Sequence, residues 1–301
     1  MVEKEVNCDE LEPRDDQTGE HADSGVCGES EYSVLHERLL DGIGPEDCRI
    51  PPVWRLHRTI NAMSEDRFYF RQLLAGRDFA TDNPLAVQMV NFIYLIGDRA
   101  TGEAVAVDPA YDIDGLLDIV DADGMQLTGA LATHYHADHI GGAIFGHEIQ
   151  GVHELLEKRG VKVHIQRDEK EWVKKSSGLS DTDLALHDSG DVLKVGEVEI
   201  ELIHTPGHTP GSQCFLVRGH LVSGDTLFLD GCGRTDLPGA DPEQMYESLH
   251  HRLSKVPDDC VLFPGHRYSF PSSSTMGMTR ETNFVFKPKT KEQWLMMFGA
   301  A

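Results

Sequence analysis

Short apolar runs, separated by turn residues and amphipathic stretches, follow one another from residue 68 to the end of the chain. Runs of four to seven mostly apolar residues between Gly, Pro, Asn and Asp are typical of strands. Apolar positions three and four apart indicate helices instead. The pattern predicts strands at Asn91–Ile96, Ala104–Asp108, Leu127–Thr133, Val161–Ile165, Val192–Val195, Val198–Ile203, Gln213–Val217, Gly219–Val222 and Cys260–Phe263, and helices at Ile113–Ala122, Gly151–Arg159, Lys170–Lys175 and Pro242–Leu253. The segment Phe68–Leu74 is compatible with a strand or with the start of a helix.

The predicted strands outnumber the helices, and the helices are inserted between them. One strand group ends near Ile165 and a second begins at Val192. Two sheets packed face to face, each covered outside by helices, would bury the apolar faces of both kinds of element. The pattern therefore favours an α+β fold with four layers in the order αββα.

Polar composition divides the chain into three parts. Residues 1–31 carry eleven acids and two bases with few large apolar residues, which predicts a disordered acidic tail. Residues 32–66 form an extension in which Leu35, Leu39, Leu40 and Ile43 are spaced for a short amphipathic helix. The globular domain is expected over residues 67–301.

Charge and targeting signals limit the partners. The net charge of −24 argues against binding to nucleic acid or to anionic membranes, since both are polyanions. No apolar run approaches the roughly 20 residues of a membrane span. The acidic N-terminus resembles neither a secretory signal nor an Arg-rich transit peptide, and the six cysteines are scattered. We expect a cytoplasmic protein whose partner is a small molecule.

The segment His134-Tyr135-His136-Ala137-Asp138-His139 concentrates metal-binding chemistry. It directly follows the predicted strand Leu127–Thr133. In an extended segment, His134 and His136 point the same way, while Asp138 and His139 fall where the chain turns into a helix. Imidazole and carboxylate together suit Zn, Fe or Mn. Four such groups in one loop are more than a single ion requires.

Three further motifs present one metal-type side chain each, and every one follows a predicted strand. They are His204-Thr205-Pro206-Gly207-His208-Thr209, Ser223-Gly224-Asp225-Thr226-Leu227-Phe228 and Phe263-Pro264-Gly265-His266. Proline and glycine tighten the loops and can hold a side chain rigidly. Of the two histidines in the first motif, we expect His208 to reach the site and His204 to point elsewhere. Together the four motifs predict a metal site.

The order HxHxDH, PGHT, GDTLF and PGH resembles the metallo-β-lactamase superfamily of metallohydrolases, over roughly residue 68 to the C-terminus. The segment Gly231-Cys232-Gly233-Arg234-Thr235-Asp236-Leu237-Pro238-Gly239 is similar to the GRTDLPG turn of compact glyoxalase II-like hydrolases. Persulfide dioxygenases are close relatives by motif. The resemblance also implies the αββα fold.

The interpretation we favour is a site for two divalent metal ions with ligands from all four motifs. Zinc is the metal we expect, with Fe or Mn as alternatives. His134, His136 and His208 would hold the first ion, and Asp138, His139 and His266 the second, with Asp225 bridging. Asp138 is the candidate general base if one ion is present. By resemblance, Tyr268 would contact the glutathione moiety of a substrate. Arg234 would bind a substrate carboxylate or, as an alternative, form a surface salt bridge.

Two enzyme classes share these motifs. The first is a metallohydrolase, a glyoxalase II-like thioesterase that cleaves a thioester such as a hydroxyacyl-glutathione with a metal-bound hydroxide. The alternative is an Fe(II)-dependent persulfide dioxygenase. There, one histidine of the HxH pair would join His208 and Asp225 in a facial triad of two histidines and one carboxylate.

Overall fold

The computed structural model describes residues 67–144 and 146–299. The predicted acidic tail (1–31) and extension (32–66) lie outside these residues. The described part contains two six-stranded sheets, a small two-stranded sheet and helices that cover the large sheets.

The first sheet has the strand order β1-β2-β3-β4-β7-β8. Neighbours from β1 to β3 pair antiparallel, and neighbours from β3 to β8 pair parallel. The parallel pairs leave several strand ends, with the loops that follow them, at one edge of the sheet. The strands are β1 (Phe68–Leu74), β2 (Phe92–Asp98), β3 (Glu103–Val107), β4 (Gln126–Leu131), β7 (Lys162–Gln166) and β8 (Leu184–His187).

The second sheet has the order β14-β13-β12-β11-β10-β9 and is antiparallel except for the parallel pair β12 and β13. Its strands are β9 (Val192–Val195), β10 (Val198–His204), β11 (Gln213–Val217), β12 (His220–Gly224), β13 (Val261–Pro264) and β14 (Ser274–Thr275). The two-stranded sheet pairs β5 (Gly142–Ile144) with β6 (His147–Ile149).

Most helices begin at a polar cap that satisfies free backbone N–H groups. Asn83, Asp112 and Asp241, for example, accept hydrogen bonds from the first turns of their helices. The α-helices are α1 (Pro84–Met89), α2 (Ile113–Ala122), α3 (Ala137–Ile140), α4 (Val152–Lys158), α5 (Lys170–Ser177), α6 (Pro242–Glu247), α7 (Met276–Thr282) and α8 (Lys291–Phe298). Four 3₁₀ turns (Arg167–Glu169, Asp181–Asp183, Leu253–Lys255 and Phe284–Phe286) and one π turn (Ser248–Arg252) complete the helical structure.

Three apolar clusters separate four layers. The inner cluster lies between the sheets, where Phe92 and Val107 of the first sheet face Ile200 and Phe215 of the second. A second cluster joins the first sheet to helices such as α2, and a third joins the second sheet to α6 and α8, with Trp294 fully buried. Burial of apolar surface on both faces of each sheet holds the layers together. The predicted αββα arrangement is confirmed.

Differences from the predicted elements occur where the sequence pattern is weak or is overridden by tertiary contacts. The predicted helix Pro242–Leu253 ends as an α-helix at Glu247 and continues as the π turn Ser248–Arg252. Strands β5, β6, β8 and β14 and helices α1, α7 and α8 were not predicted. Helix α1 nevertheless has a strong local signal, since Asn83 caps it and proline occupies its first turn. Among the described residues, no helix combines the length and apolarity needed to cross a membrane.

Candidate metal centre

The four motifs meet where strands of both sheets end. The HxHxDH loop follows β4 of the first sheet, and helix α3 begins directly after His136. In the second sheet, β10, β12 and β13 lead into the loops that carry His208, Asp225 and His266. These loops come from strands far apart in sequence, so the centre depends on the packing of the two sheets.

The first group of candidate ligands contains His134, His136 and His208. Their facing ring nitrogens all lie within 4.8 Å of one another. The Nδ1 atom of His136 is 3.0 Å from Nε2 of His134 and 3.1 Å from Nε2 of His208. Three imidazole nitrogens at this spacing are arranged around one common point, as three ligands of a single ion would be.

The second group contains Asp138, His139 and His266, again with their ligand atoms within 4.8 Å of one another. Nε2 of His139 is 3.2 Å from Nε2 of His266, and Oδ2 of Asp138 is 3.5 Å and 3.4 Å from these two nitrogens. All three side chains are buried. A carboxylate and two imidazoles form a second complete donor set beside the first.

Asp225 lies between the two groups. Its Oδ2 atom is 3.7 Å from Nε2 of His208 in the first group and 3.5 Å from Nε2 of His266 in the second, and its Oδ1 atom is 3.4 Å from Nε2 of His139. Oδ1 is buried and has no hydrogen-bond partner within the described residues. A buried carboxylate oxygen without a partner is costly, and a bound cation would satisfy it.

The outer nitrogens of four histidines are held by the protein. Nδ1 of His208 donates to the carbonyl of Arg234 and Nδ1 of His266 to the carbonyl of Met89, each over 2.8 Å. Nδ1 of His139 lies 2.9 Å from Oδ2 of Asp108, and Nδ1 of His134 lies 3.0 Å from the hydroxyl of Thr133. Metal-binding histidines are oriented in this manner, with the second nitrogen free for the ion. The donor set, the orphaned Asp225 oxygen and these orientations fit a metal centre.

The imidazoles of the two groups differ in how readily they are protonated. Burial lowers the pKa of His136 to about 4, and it also lowers the pKa of His134 well below its ordinary value. Neutral imidazole is the form that binds metal. In the second group, burial opposes protonation of His139, but the carboxylates of Asp138 and Asp225 outweigh it and raise its pKa to about 10. The second group thus attracts positive charge.

Asp108 supports this centre and was not singled out from the sequence. It follows β3, adopts a positive φ of 53° and is buried. Besides meeting His139, its carboxylate accepts hydrogen bonds from the backbone N–H of Thr133 over 2.7 Å and from the Thr133 hydroxyl over 2.6 Å. Asp108 therefore links the end of β3 to both ends of the histidine-rich loop. The available signal was an aspartate immediately after an apolar strand, directly before Pro109.

A second supporting chain reaches Asp138. The side-chain amide of Asn91 donates to Oδ2 of Asp138 over 3.1 Å, and the hydroxyl of Tyr111 donates to Oδ1 of Asn91 over 2.6 Å. Asn91 is buried, and Tyr111 adopts a positive φ of 79°. These contacts fix which oxygen of Asp138 faces the histidines. A polar residue at the start of a buried strand was the sequence signal for Asn91.

Glu169 supports the first group from a third direction. One carboxylate oxygen accepts hydrogen bonds from the backbone N–H of Tyr135 over 2.8 Å and from the Thr209 hydroxyl over 2.7 Å, and the other accepts from the N–H of Gly211 over 2.6 Å. The side chain is buried, and burial raises its pKa to about 7. Tyr135 stands between two candidate ligands and Thr209 directly follows His208, so Glu169 connects both loops of the first group.

The remaining predicted residues lie beside the centre. Tyr268 stacks its ring parallel to that of His266, with ring centroids 4.7 Å apart, and lines the adjoining cavity. Arg234 also lines the cavity, but its guanidinium forms two hydrogen bonds with Asp236 over 2.9 Å and 2.8 Å and is largely exposed. His204 is turned away, with Nε2 2.9 Å from the carbonyl of Pro210. Of the two histidines in that motif, only His208 joins the groups.

Comparison with known proteins places these features in one family. The family model described as "Metallo-beta-lactamase superfamily" matches residues 88–266, which include all seven candidate ligands. Persulfide dioxygenase ETHE1 of Homo sapiens is 32% identical over 64% of this chain and 70% of its own length. A hydroxyacylglutathione hydrolase of Rhodopseudomonas palustris is 36% identical over 60% of this chain and 63% of its own length.

A solved structure of a relative has the same fold. The crystal structure of ETHE1 from Myxococcus xanthus matches with a TM-score of 0.62 and 28% identity, over 77% of this chain and 90% of that one. Relatives named as hydrolases and as dioxygenases thus occur at similar identity, so the comparisons define the superfamily of metal-dependent hydrolases and oxygenases. On its motifs, its fold and the extent of the family match, the chain belongs to the metallo-beta-lactamase superfamily.

Proposed function

We propose that this protein is a metal-dependent hydrolase that cleaves a thioester, with acyl-glutathiones as the first substrates to test. The observation that carries the proposal is the pair of adjacent donor groups with Asp225 between them. Both groups are complete, which favours two ions over one. Zinc suits this set of imidazole and carboxylate donors, and Fe or Mn would also be accepted.

Hydrolysis of a thioester adds water to the carbonyl carbon. A C–O bond forms, the C–S bond breaks, and one proton passes from the water to the departing thiolate. When bound, the two cations would lower the pKa of water and polarise the carbonyl oxygen. Asp138 lines the cavity, and in a centre that holds a single ion it could take the proton and return it to the sulfur. Asn91 keeps the Asp138 carboxylate oriented during this transfer.

The second candidate function is an Fe(II)-dependent persulfide dioxygenase. It is supported by the relatives of that name and by the positions of His208 and Asp225 beside His136, which could form a facial triad. The two enzyme classes share all four motifs, so the second donor group is present in both, but a two-ion hydrolase would use it to hold metal whereas a single-iron enzyme would not. We therefore favour hydrolysis.

Side-by-side assays test the choice between the two reactions. Full-length protein loaded separately with Zn²⁺ and with Fe²⁺ is expected to bind two ions per chain and to cleave lactoyl-glutathione, while oxygen uptake with glutathione persulfide stays near background. Thiol release and an oxygen electrode measure the two activities, and elemental analysis measures the metal. Persulfide-dependent oxygen uptake by the iron form, with no thioester cleavage by either form, would reverse the assignment.

Arg234 and Tyr268 are proposed to contact the thiol carrier at the mouth of the cavity. The Arg234→Ala variant is expected to raise KM for an acyl-glutathione roughly two- to fivefold, because an exposed ion pair contributes at most about 1 kcal/mol. The kcat value should stay within about twofold, since such a contact is made equally before and during the reaction. Steady-state kinetics measure both constants.

Arg77→Ala is the matched control, because Arg77 also pairs with the neighbouring aspartate, Asp78, at an exposed position. It lies outside the residues that line this cavity. An equal change of KM in both variants would mean that loss of surface charge, rather than a contact at the cavity, is responsible. A fall in kcat alone for Arg234→Ala would contradict the carrier contact.

A further inference from the structure

The cavity that opens from the candidate metal centre is predominantly apolar. It has a volume of about 670 Å³, within the range of small-molecule sites. The candidate ligands lie at one end, and apolar side chains from several separate elements form most of the remaining wall. These wall residues include Met89, Ala143, Ile144, Phe228, Leu237 and Phe284.

Charged groups are few along this wall and do not favour an anion inside it. Apart from the candidate ligands, the charged side chains among the described lining residues are Arg234 and Asp230. Arg234 is already paired with Asp236, and its side chain is 68% exposed, so its charge lies at the rim. Transfer of an ionised group from water to an apolar wall without a partner is strongly unfavourable. The inner cavity therefore selects for an uncharged group.

We propose that this cavity binds the acyl group of the substrate and that the acyl group is an uncharged hydrocarbon or aromatic chain. The inference rests on the proposed thioester hydrolysis, since that reaction puts the carbonyl at the candidate ligands with its two substituents on either side. Glutathione carries two carboxylates and an ammonium group, which remain hydrated outside the apolar wall. The acyl chain is the part that gains from burial.

An acyl series on one carrier tests the preference. Lactoyl-, butanoyl- and hexanoyl-glutathione are compared on the metal-loaded, full-length protein. Each methylene that enters the cavity should raise kcat/KM by up to about fourfold, the equivalent of one buried CH₂. Hexanoyl-glutathione is expected to exceed butanoyl-glutathione roughly tenfold, and lactoyl-glutathione, with its hydroxyl group, should be the slowest.

Phe284 provides the variant that links this preference to the cavity. Its ring lines the cavity and is 45% exposed, so its removal leaves the buried core largely intact. Phe284→Ala should reduce the hexanoyl-to-butanoyl ratio to about threefold or less, and Phe284→Leu should retain most of it. Phe270→Ala is the control, because Phe270 is 93% exposed and is not part of this wall.

A binding measurement separates this inference from the proposed function. S-hexylglutathione and S-methylglutathione are thioethers that cannot be hydrolysed. Calorimetry should show tighter binding of the hexyl compound to wild type and a clearly smaller difference for Phe284→Ala. Equal binding, with lactoyl-glutathione cleaved as fast as hexanoyl-glutathione, would overturn the apolar acyl site and leave the thioesterase standing. Tighter hexyl binding without cleavage of any thioester would instead overturn the proposed reaction while supporting the apolar cavity.

Discussion

Replacement of Asp225 by alanine is expected to abolish thioester hydrolysis and to lower the metal content from two ions per chain toward one or none. Asp225 is the side chain that reaches both donor groups, through His208 on one side and through His139 and His266 on the other. Loss of a residue that merely orients a ligand typically costs 10- to 100-fold in metal affinity or activity. Loss of a shared ligand should exceed that range.

The charge balance of the centre gives a second reason for this expectation. The neighbouring imidazoles of His266 and His139 hold the pKa of Asp225 well below its ordinary range, despite burial. Without this carboxylate, two cations would be held by neutral imidazoles and a single remaining carboxylate, Asp138. Repulsion between the cations would then be less well compensated.

Two further variants make the Asp225 experiment specific. Asp138→Ala removes a carboxylate from the second group alone, so it should spare the first ion more than Asp225→Ala does. Asp230→Ala removes an exposed carboxylate five positions along the same loop and should leave the metal content unchanged. Elemental analysis after gel filtration gives the stoichiometry. Two ions per chain in Asp225→Ala would contradict the bridging position.

The candidate ligands could be predicted from sequence because each lies in a recognisable local pattern. An apolar strand is followed at once by a metal-type side chain in a loop tightened by glycine or proline, four times in succession. Such short-range patterns hold in the folded protein, because the end of a strand determines where the residues directly after it are placed. The same regularity made the αββα layers predictable from the alternation of strands and helices.

The residues that orient those ligands could not be predicted in the same manner. Asp108 meets His139 across 31 positions, and Glu169 meets Tyr135 across 34 and Gly211 across 42. Each is a single acidic residue in an acidic chain, and Glu169 stands in the charged stretch 167–171, where exposure is the ordinary expectation. Only the packing of the two sheets shows that these carboxylates are buried and what they contact.

Arg234 was identified from its motif, but the motif did not show whether its charge is available to a ligand. Its place in the GRTDLPG-type turn was compatible with a substrate contact or a surface salt bridge, and the structure shows the salt bridge at the edge of the cavity. The sequence also contains its competitor, because Asp236 lies two residues away and both of its oxygens accept from Arg234. Whether a charge is available for a ligand depends on such short-range pairing, which a motif does not specify.

Replacement of Glu169 by glutamine is expected to lower the metal affinity of the first group roughly 10- to 100-fold and to affect the metal affinity of the second group much less. Glu169 is the acceptor in all three of its hydrogen bonds, and two of the donors are backbone N–H groups that cannot reorient. A glutamine amide keeps one acceptor oxygen, but its NH₂ group would face at least one of these donors. The buried donor left without a partner costs about 1–3 kcal/mol, and the two loops lose their common anchor.

The measurement must separate a loosened metal site from a fold that is merely less stable. Asp98 offers a matched control, because it is another fully buried carboxylate that joins the sheets, accepting from the backbone N–H groups of Ala100 and Glu197 and from Arg67. Its contacts involve none of the four ligand motifs. Asp98→Asn should therefore lower the unfolding free energy without changing the metal affinity of the folded protein.

Chelator competition monitored with Co²⁺, alongside urea unfolding of the metal-free protein, supplies the two readouts for Glu169→Gln and Asp98→Asn. If Glu169 positions the loops of the first group, Glu169→Gln should lower the affinity for one Co²⁺ ion more than Asp98→Asn does. The comparison is made at the same loss of unfolding free energy. If the two variants lose stability equally and bind both ions as tightly as wild type, Glu169 holds the fold only. A selective loss of metal affinity at the group of His134, His136 and His208 would instead show that Glu169, although not a ligand, fixes the spacing of the two loops that carry this group.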